Sequence, residues 1–314
     1  MKRFKNILFF ADGSLEPGPA LDRAVALARA NNVRLTVADV IEEQEASPRI
    51  RTTFGSDLNE ILAEHRRQTL EEMVQPFNAS DDIIYTRVLS GTPFIEVVRS
   101  VLSGGYDLVI KTCRPPEGLS EYLLGSTDMH LMRKCPCPVW IDRPAAALPY
   151  RCILAAVDPL DEDSKANAGL IMDLATSLAD RESATLSVVH AWQVYGESML
   201  RSGRVRVPAD QLEQHMEQTR QQHADALNRL LEGYGLSTED PQVHLVKGDP
   251  AGTIRRLSTT LAADLIVMGT VGRTGIPGFF IGNTAEEVLQ STRTSVLAVK
   301  PTDFVSPVAP ARMA

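Results

Sequence analysis

Gly269, Gly272 and Gly282, separated by two and nine residues and followed by Asn283 and Thr284, are the residues whose type and spacing point most directly to chemistry. Glycines let a backbone approach a ligand closely, and the free N–H groups that open a helix attract an anion. After a strand, such a run makes a cradle for a nucleotide polyphosphate, although a glycine in that place equally serves a tight turn. Two further strand ends converge on it. The apolar run from Cys152 stops at Val157 and Asp158, and a second run stops near His190 and Ala191. In an open parallel sheet, ligands bind outside the carboxyl ends of the strands, where the strand order reverses.

The elements that must position these residues occur twice. Residues 107–144 lie without a gap over 264–301, an offset of 157, which is half of the 314-residue chain. Asp107/Asp264, Gly118/Gly275, Gly125/Gly282, Thr127/Thr284 and Pro144/Pro301 coincide, and upstream NILFFAD at 6–12 answers CILAAVD at 152–158. Each copy reads as strand, helix, strand, long helix, strand, helix, strand, glycine-bearing loop, helix and last strand. The strands are continuous apolar runs, as a parallel sheet covered on both faces requires. Regular alternation with helices gives right-handed crossovers. The expected fold is therefore α/β, with two tandem doubly wound parallel-sheet domains at 1–144 and 151–301. Residues 143–150, rich in Pro and Ala, form a short linker, and the Pro-rich tail from Pro301 is expected to be loose.

Composition narrows the function classes. Hydrophobic residues at 44% and charged residues at 23% describe a packed globular chain. A net charge of −8 makes duplex nucleic acid a poor partner, since affinity for it comes from Lys and Arg on phosphates. Asp12 interrupts the apolar run that follows the basic start, and no stretch reaches the roughly 18 apolar residues of a membrane span. Four cysteines make no disulfide framework, so a cytoplasmic location is expected.

The G-xx-G-x9-G-[S/T] spacing at Gly269, Gly272 and Gly282 resembles the phosphate signature of the universal stress proteins, and both halves of the chain are similar to that family. KGDPAGTI at 247–254, DLIVMGTVGRTGI at 264–276 and IGNTAEEVL at 281–289 carry the likeness. The tandem arrangement with LMRKCPCPVW at 131–140 looks closest to the two-domain, E-type members. The resemblance implies an adenine nucleotide α-hydrolase-like fold and an ATP site, with or without Mg2+. In it Val157 and Asp158 meet the adenosine, Ala191 and Met268 border the base, and Gly269, Gly272, Gly282, Asn283 and Thr284 hold phosphates. Asn283 departs from the family's hydroxyl residue. Arg273 is the nearest counter-charge for a polyphosphate, or a solvated loop arginine. The resemblance also implies an internal pseudo-dimer through the last strands, Pro138–Asp142 and Ser295–Lys300; a homodimer is left open.

The first copy has Thr112 for Gly269 and Pro115, followed by Pro116, for Gly272. Proline has no N–H for a phosphate, so ATP is not expected there, although Asp12, Gly125 and Ser126 remain. Ser103–Asp107 imitates the start of a pyrophosphate loop but precedes the fourth strand, and reads better as a helix C-terminal glycine pair. Cys135 and Cys137, near His130, lack zinc-site partners and are expected to lead into a strand. His215 and His223 are assigned to a helix surface, and His190 either touches a ligand or is a satisfied histidine. The leading expectation is a nucleotide-binding stress-response protein acting through ligand-dependent conformation or association. The alternatives are a slow ATP hydrolase, or a first domain holding a non-nucleotide, lipid-like ligand.

Overall fold

The computed structural model describes residues 4–14, 18–42, 58–77, 83–113, 124–143, 148–160, 162–194, 196–197, 199, 208–270 and 281–310. They fall into two compact units. The first holds the described residues of Met1–Leu148 and Ser295–Ala314 together with Ile281, and the second those of Pro149–Thr274 and Gly282–Thr294.

The first unit runs β1 (Asn6–Phe10), α1 (Pro19–Asn31), β2 (Arg34–Ile41), α2 (Leu58–Val74), β3 (Ile84–Ser90), α3 (Pro93–Gly104), β4 (Leu108–Thr112), α4 (Ser126–Lys134) and β5 (Val139–Asp142). Ile7, Leu8, Phe9 and Phe10 are all buried, which an alternating strand could not achieve. Pro93 opens α3 with a preset φ, and Gly105 ends it in the left-handed conformation at φ 64°. The glycine pair after Ser103 is thus a helix terminus, as expected.

The strand order here is β3-β2-β1-β4-β5, all parallel, and β10 (Ser295–Val299) joins β5 antiparallel. Leu297 pairs with Trp140, so the last strand of the second repeat lies beside the last strand of the first. That pairing covers the open edge of β5. Ser295 Oγ donates to Asp142 at 2.9 Å and accepts the Arg143 N–H at 2.9 Å. Buried Arg23 faces Asp142 at 3.6 Å and lies 5.8 Å from the Trp140 ring centroid. The tail is tied where it was expected to be loose: Ser306 Oγ donates to the Lys134 carbonyl at 2.7 Å.

The second unit runs β6 (Cys152–Ala156), α5 (Glu162–Glu182), β7 (Thr185–Trp192), α6 (Ala209–Leu231), β8 (Val243–Lys247), α7 (Pro250–Thr260), β9 (Leu265–Gly269) and α8 (Asn283–Ser291). Its parallel strands take the order β9-β6-β7-β8. The chain starts in the middle, builds β7 and β8 to one side, and then crosses to place β9 on the other. The order therefore reverses between β6 and β9. No helix among the described residues is long and apolar enough to cross a membrane.

Candidate functional site

The carboxyl ends of β6 and β9 stand side by side, with Ala156 in register with Met268. Val157 and Asp158 leave β6 at that end, and Val157 N–H donates to the Val189 carbonyl of β7 at 3.0 Å. Ala191 lies two residues further along β7 and Gly269 ends β9. Gly282 precedes α8, whose first turn begins with Asn283 and Thr284. The N–H of Gly282 donates to the Thr270 carbonyl at 2.7 Å, which joins the start of α8 to the end of β9. Val157, Asp158, Met268, Gly269, Gly282, Asn283 and Thr284 are thus carried by elements that meet at one sheet end, with Ala191 on the adjoining strand. Gly272 and Arg273 lie outside the described residues, as do Pro115 and Pro116 in the first copy.

Two residues of this region escaped the sequence reading. Asn167, on α5, packs so closely on Gly269 that a Cβ added there would lie 2.5 Å from Asn167 Nδ2. The Asn167 Oδ1 is buried and accepts no hydrogen bond among the described residues. A buried amide oxygen without a donor is costly, so a ligand N–H or O–H would be favoured beside it. A lone asparagine in a helix gives no periodic signal of this kind.

The second residue is His223, which was assigned to the surface and is buried instead, at 8% exposure. Its Nδ1 lies 2.7 Å from His190 Nε2, and His190 Nδ1 lies 3.0 Å from the Val157 carbonyl. A carbonyl only accepts, so His190 carries its proton on Nδ1; with neutral rings, Nε2 then accepts from His223. His190 is a fully buried histidine with both ring nitrogens engaged, and its carbonyl partner belongs to a candidate site residue. A signal for His223 existed. It shares a stripe with Leu227 and Leu231 at four-residue spacing, whereas His215, eight residues away, is turned about 80° from it and is exposed.

Cys135 and Cys137 lead into β5 with their sulfurs 3.6 Å apart. The contact with Cys135, together with burial, pushes the Cys137 thiol well above its ordinary value, which disfavours the thiolate a metal needs. Among the described residues no group of three His, Cys, Asp or Glu is placed to hold a metal ion.

Comparison with known proteins agrees with this fold. The family model described as "Universal stress protein family" matches residues 3–143 and 149–300, once per repeat. Universal stress protein E of Escherichia coli (strain K12) is 29% identical over 314 residues, covering 98% of each chain. Its namesake from Photorhabdus laumondii is 26% identical over 318 residues, covering 99% of this chain and 100% of that one. A crystal structure of a protein of Pseudomonas aeruginosa PAO1, described as functionally unknown, superposes with a TM-score of 0.72 at 26% identity, over 96% of this chain and 94% of that one. A universal stress protein from Archaeoglobus fulgidus shares the fold at a TM-score of 0.64 and 17% identity, over 94% of this chain and 98% of that one.

Proposed function

The chain belongs to the universal stress protein family, and on that premise we propose that its second unit binds one adenine nucleotide and that the protein acts through ligand-dependent conformation or association. The observation that carries this reading is the joining of β9 to α8 through Thr270 and Gly282 beside the reversal of strand order. A crevice at such a reversal is where doubly wound sheets take ligands, and a helix N-terminus there favours phosphate.

Asp158, two residues past the end of β6, is suited to accept from ribose hydroxyls. Ala191 and Met268 offer apolar surface to the base, and phosphates would meet the Asn283 and Thr284 N–H groups that open α8, beside Gly269, Gly272 and Gly282, with the Gly282 N–H already held by the Thr270 carbonyl. Asn167 Oδ1 adds an acceptor at the Gly269 end of the crevice. Arg273 would balance part of the polyphosphate charge. Bound Mg2+ would screen the remainder.

Calorimetry on the full chain with MgATP tests the reading. One equivalent per chain is expected, weakened roughly tenfold or more by Asp158→Ala, a loss of about 1.4 kcal/mol. Two equal equivalents, or binding unchanged by both Asp158→Ala and Gly272→Pro, would overturn it.

A further inference from the structure

In the first unit the strand order reverses between β1 and β4, the counterparts of β6 and β9. Lys111, on β4, stands at that crevice. Its ammonium lies 2.8 Å from Asp12 Oδ2 and 2.7 Å from Asp128 Oδ1, and it donates to the Thr112 carbonyl at 3.0 Å. All three oxygens lie within 3.0 Å of the ammonium, the two carboxylates as ion pairs and the carbonyl as a hydrogen bond. Lys111 and Asp128 are fully buried, while Asp12 is 23% exposed. The second oxygen of Asp128 accepts the Gly125 N–H, at the head of α4, at 3.2 Å.

The repeat offset shows what has changed. Lys111 stands where the second copy has Met268, and Asp128 where it has Ala285. Neither of those residues can form an ion pair. Burial opposes the charge on Lys111, but the carboxylates of Asp128 and Asp12 outweigh it and hold its pKa above the ordinary lysine value. Burial raises the Asp128 carboxyl, which Lys111 offsets in part. An ion pair this deep is costly to break from one side, because removing one partner strands the other's charge.

We propose that Lys111 and Asp128, with Asp12, serve the first unit as a built-in ligand: the ammonium bridges the crevice between β1 and β4, the carboxylate sits at the α4 N-terminus where a phosphate would bind, and adenosine is thereby excluded from this half. The ligand class rests on the nucleotide reading of the second unit; the internal pairing does not. Lys111 and Asp128 are in this sense determinants of where the chain binds, replacing at two positions the residues that leave the second crevice open.

The test uses the full chain as wild type, Lys111→Met, Asp128→Ala and the double variant, with thermal melts and equilibrium dialysis of adenosine, which does not depend on phosphate donors at Pro115 and Pro116. The double variant is expected to melt no lower than Lys111→Met, and to take up one adenosine equivalent more than wild type. Additive losses of melting temperature would overturn the pairing. A folded double variant with no added equivalent, or a wild-type equivalent whose affinity is unchanged in Asp158→Ala, would overturn the exclusion. Should the double variant not fold, Asp12→Asn opens the bridge from the exposed side, with the same gain expected and the same lack of gain decisive against it. Failure of the nucleotide reading alone shows differently, as a wild type that binds no adenosine while the melts remain non-additive.

Discussion

His190 and His223, from β7 and α6, meet through a 2.7 Å hydrogen bond between buried rings, and His190 in turn holds the Val157 carbonyl. The strand end proposed to meet adenosine is thereby fixed from behind by a helix. Replacing His223 by Phe keeps the ring against Trp192, whose centroid is 6.0 Å away, but removes the donor to His190. A stability loss of about 1–3 kcal/mol is expected, the usual consequence of depriving a buried polar atom of its partner. Nucleotide affinity should fall with it. Denaturant melts and calorimetry check both, and unchanged values would show that the pair is idle.

Gly269 has room for a methyl group only if the Asn167 side chain shifts, since its Cβ would lie 2.5 Å from Asn167 Nδ2. Gly269→Ala should destabilise the second unit by about 1–3 kcal/mol through overpacking. Adding Asn167→Ala should recover most of that loss, because the clash is with one side chain. A double variant as unstable as the sum of its singles would place the strain elsewhere.

Lys300, just past β10, is buried with its Nζ 3.4 Å from the Arg133 carbonyl and 4.5 Å from the Phe304 ring centroid. Burial lowers its pKa from 10.5 to about 8. The sign follows from proton counting: between these values the unfolded chain holds a proton that the folded one has lost, so this lysine makes stability rise with pH across that window. Below it, the cost of burying the ammonium is present in full. The contribution is at most about 3 kcal/mol, at 1.36 kcal/mol per unit. Melts of wild type and Lys300→Met from pH 7 to 11 should show a difference that shrinks as pH rises; a constant difference would rule the titration out.

Turnover is expected to be slow. Phosphoryl transfer depends on positioning and on stabilising charge, and Asn283 stands where the family signature has a hydroxyl. A single-turnover assay with MgATP should give a site-dependent rate well below the roughly 1 per second of working enzymes. A faster rate, abolished by Asp158→Ala, would favour the hydrolase.

The alternation of elements was legible because it is local. Four consecutive apolar residues such as Ile7–Phe10 or Leu265–Met268 leave little choice but a strand buried on both faces, and the repeat offset doubles every such observation. The glycines of the second copy were legible for the same reason, as positions where a missing side chain is itself the signal. Lys111 gave none. A lysine after Leu108, Val109 and Ile110 reads as the solvated end of a strand, and only its spatial neighbours show that it is buried.

By itself the sequence determined two copies of one α/β unit, the helix and strand order in each, and which copy carries the glycine spacing, since these depend on residue type and spacing within a few turns of chain. Tertiary structure alone decided the burial of His223 against His190 and the filling of the first crevice by Lys111, Asp12 and Asp128, whereas the pairing of β10 with β5 was already implied by the family resemblance. Each of these joins residues distant along the chain. Whether a charge or a ring nitrogen is solvated or engaged depends on what lies opposite it, and periodicity along one element carries no record of that.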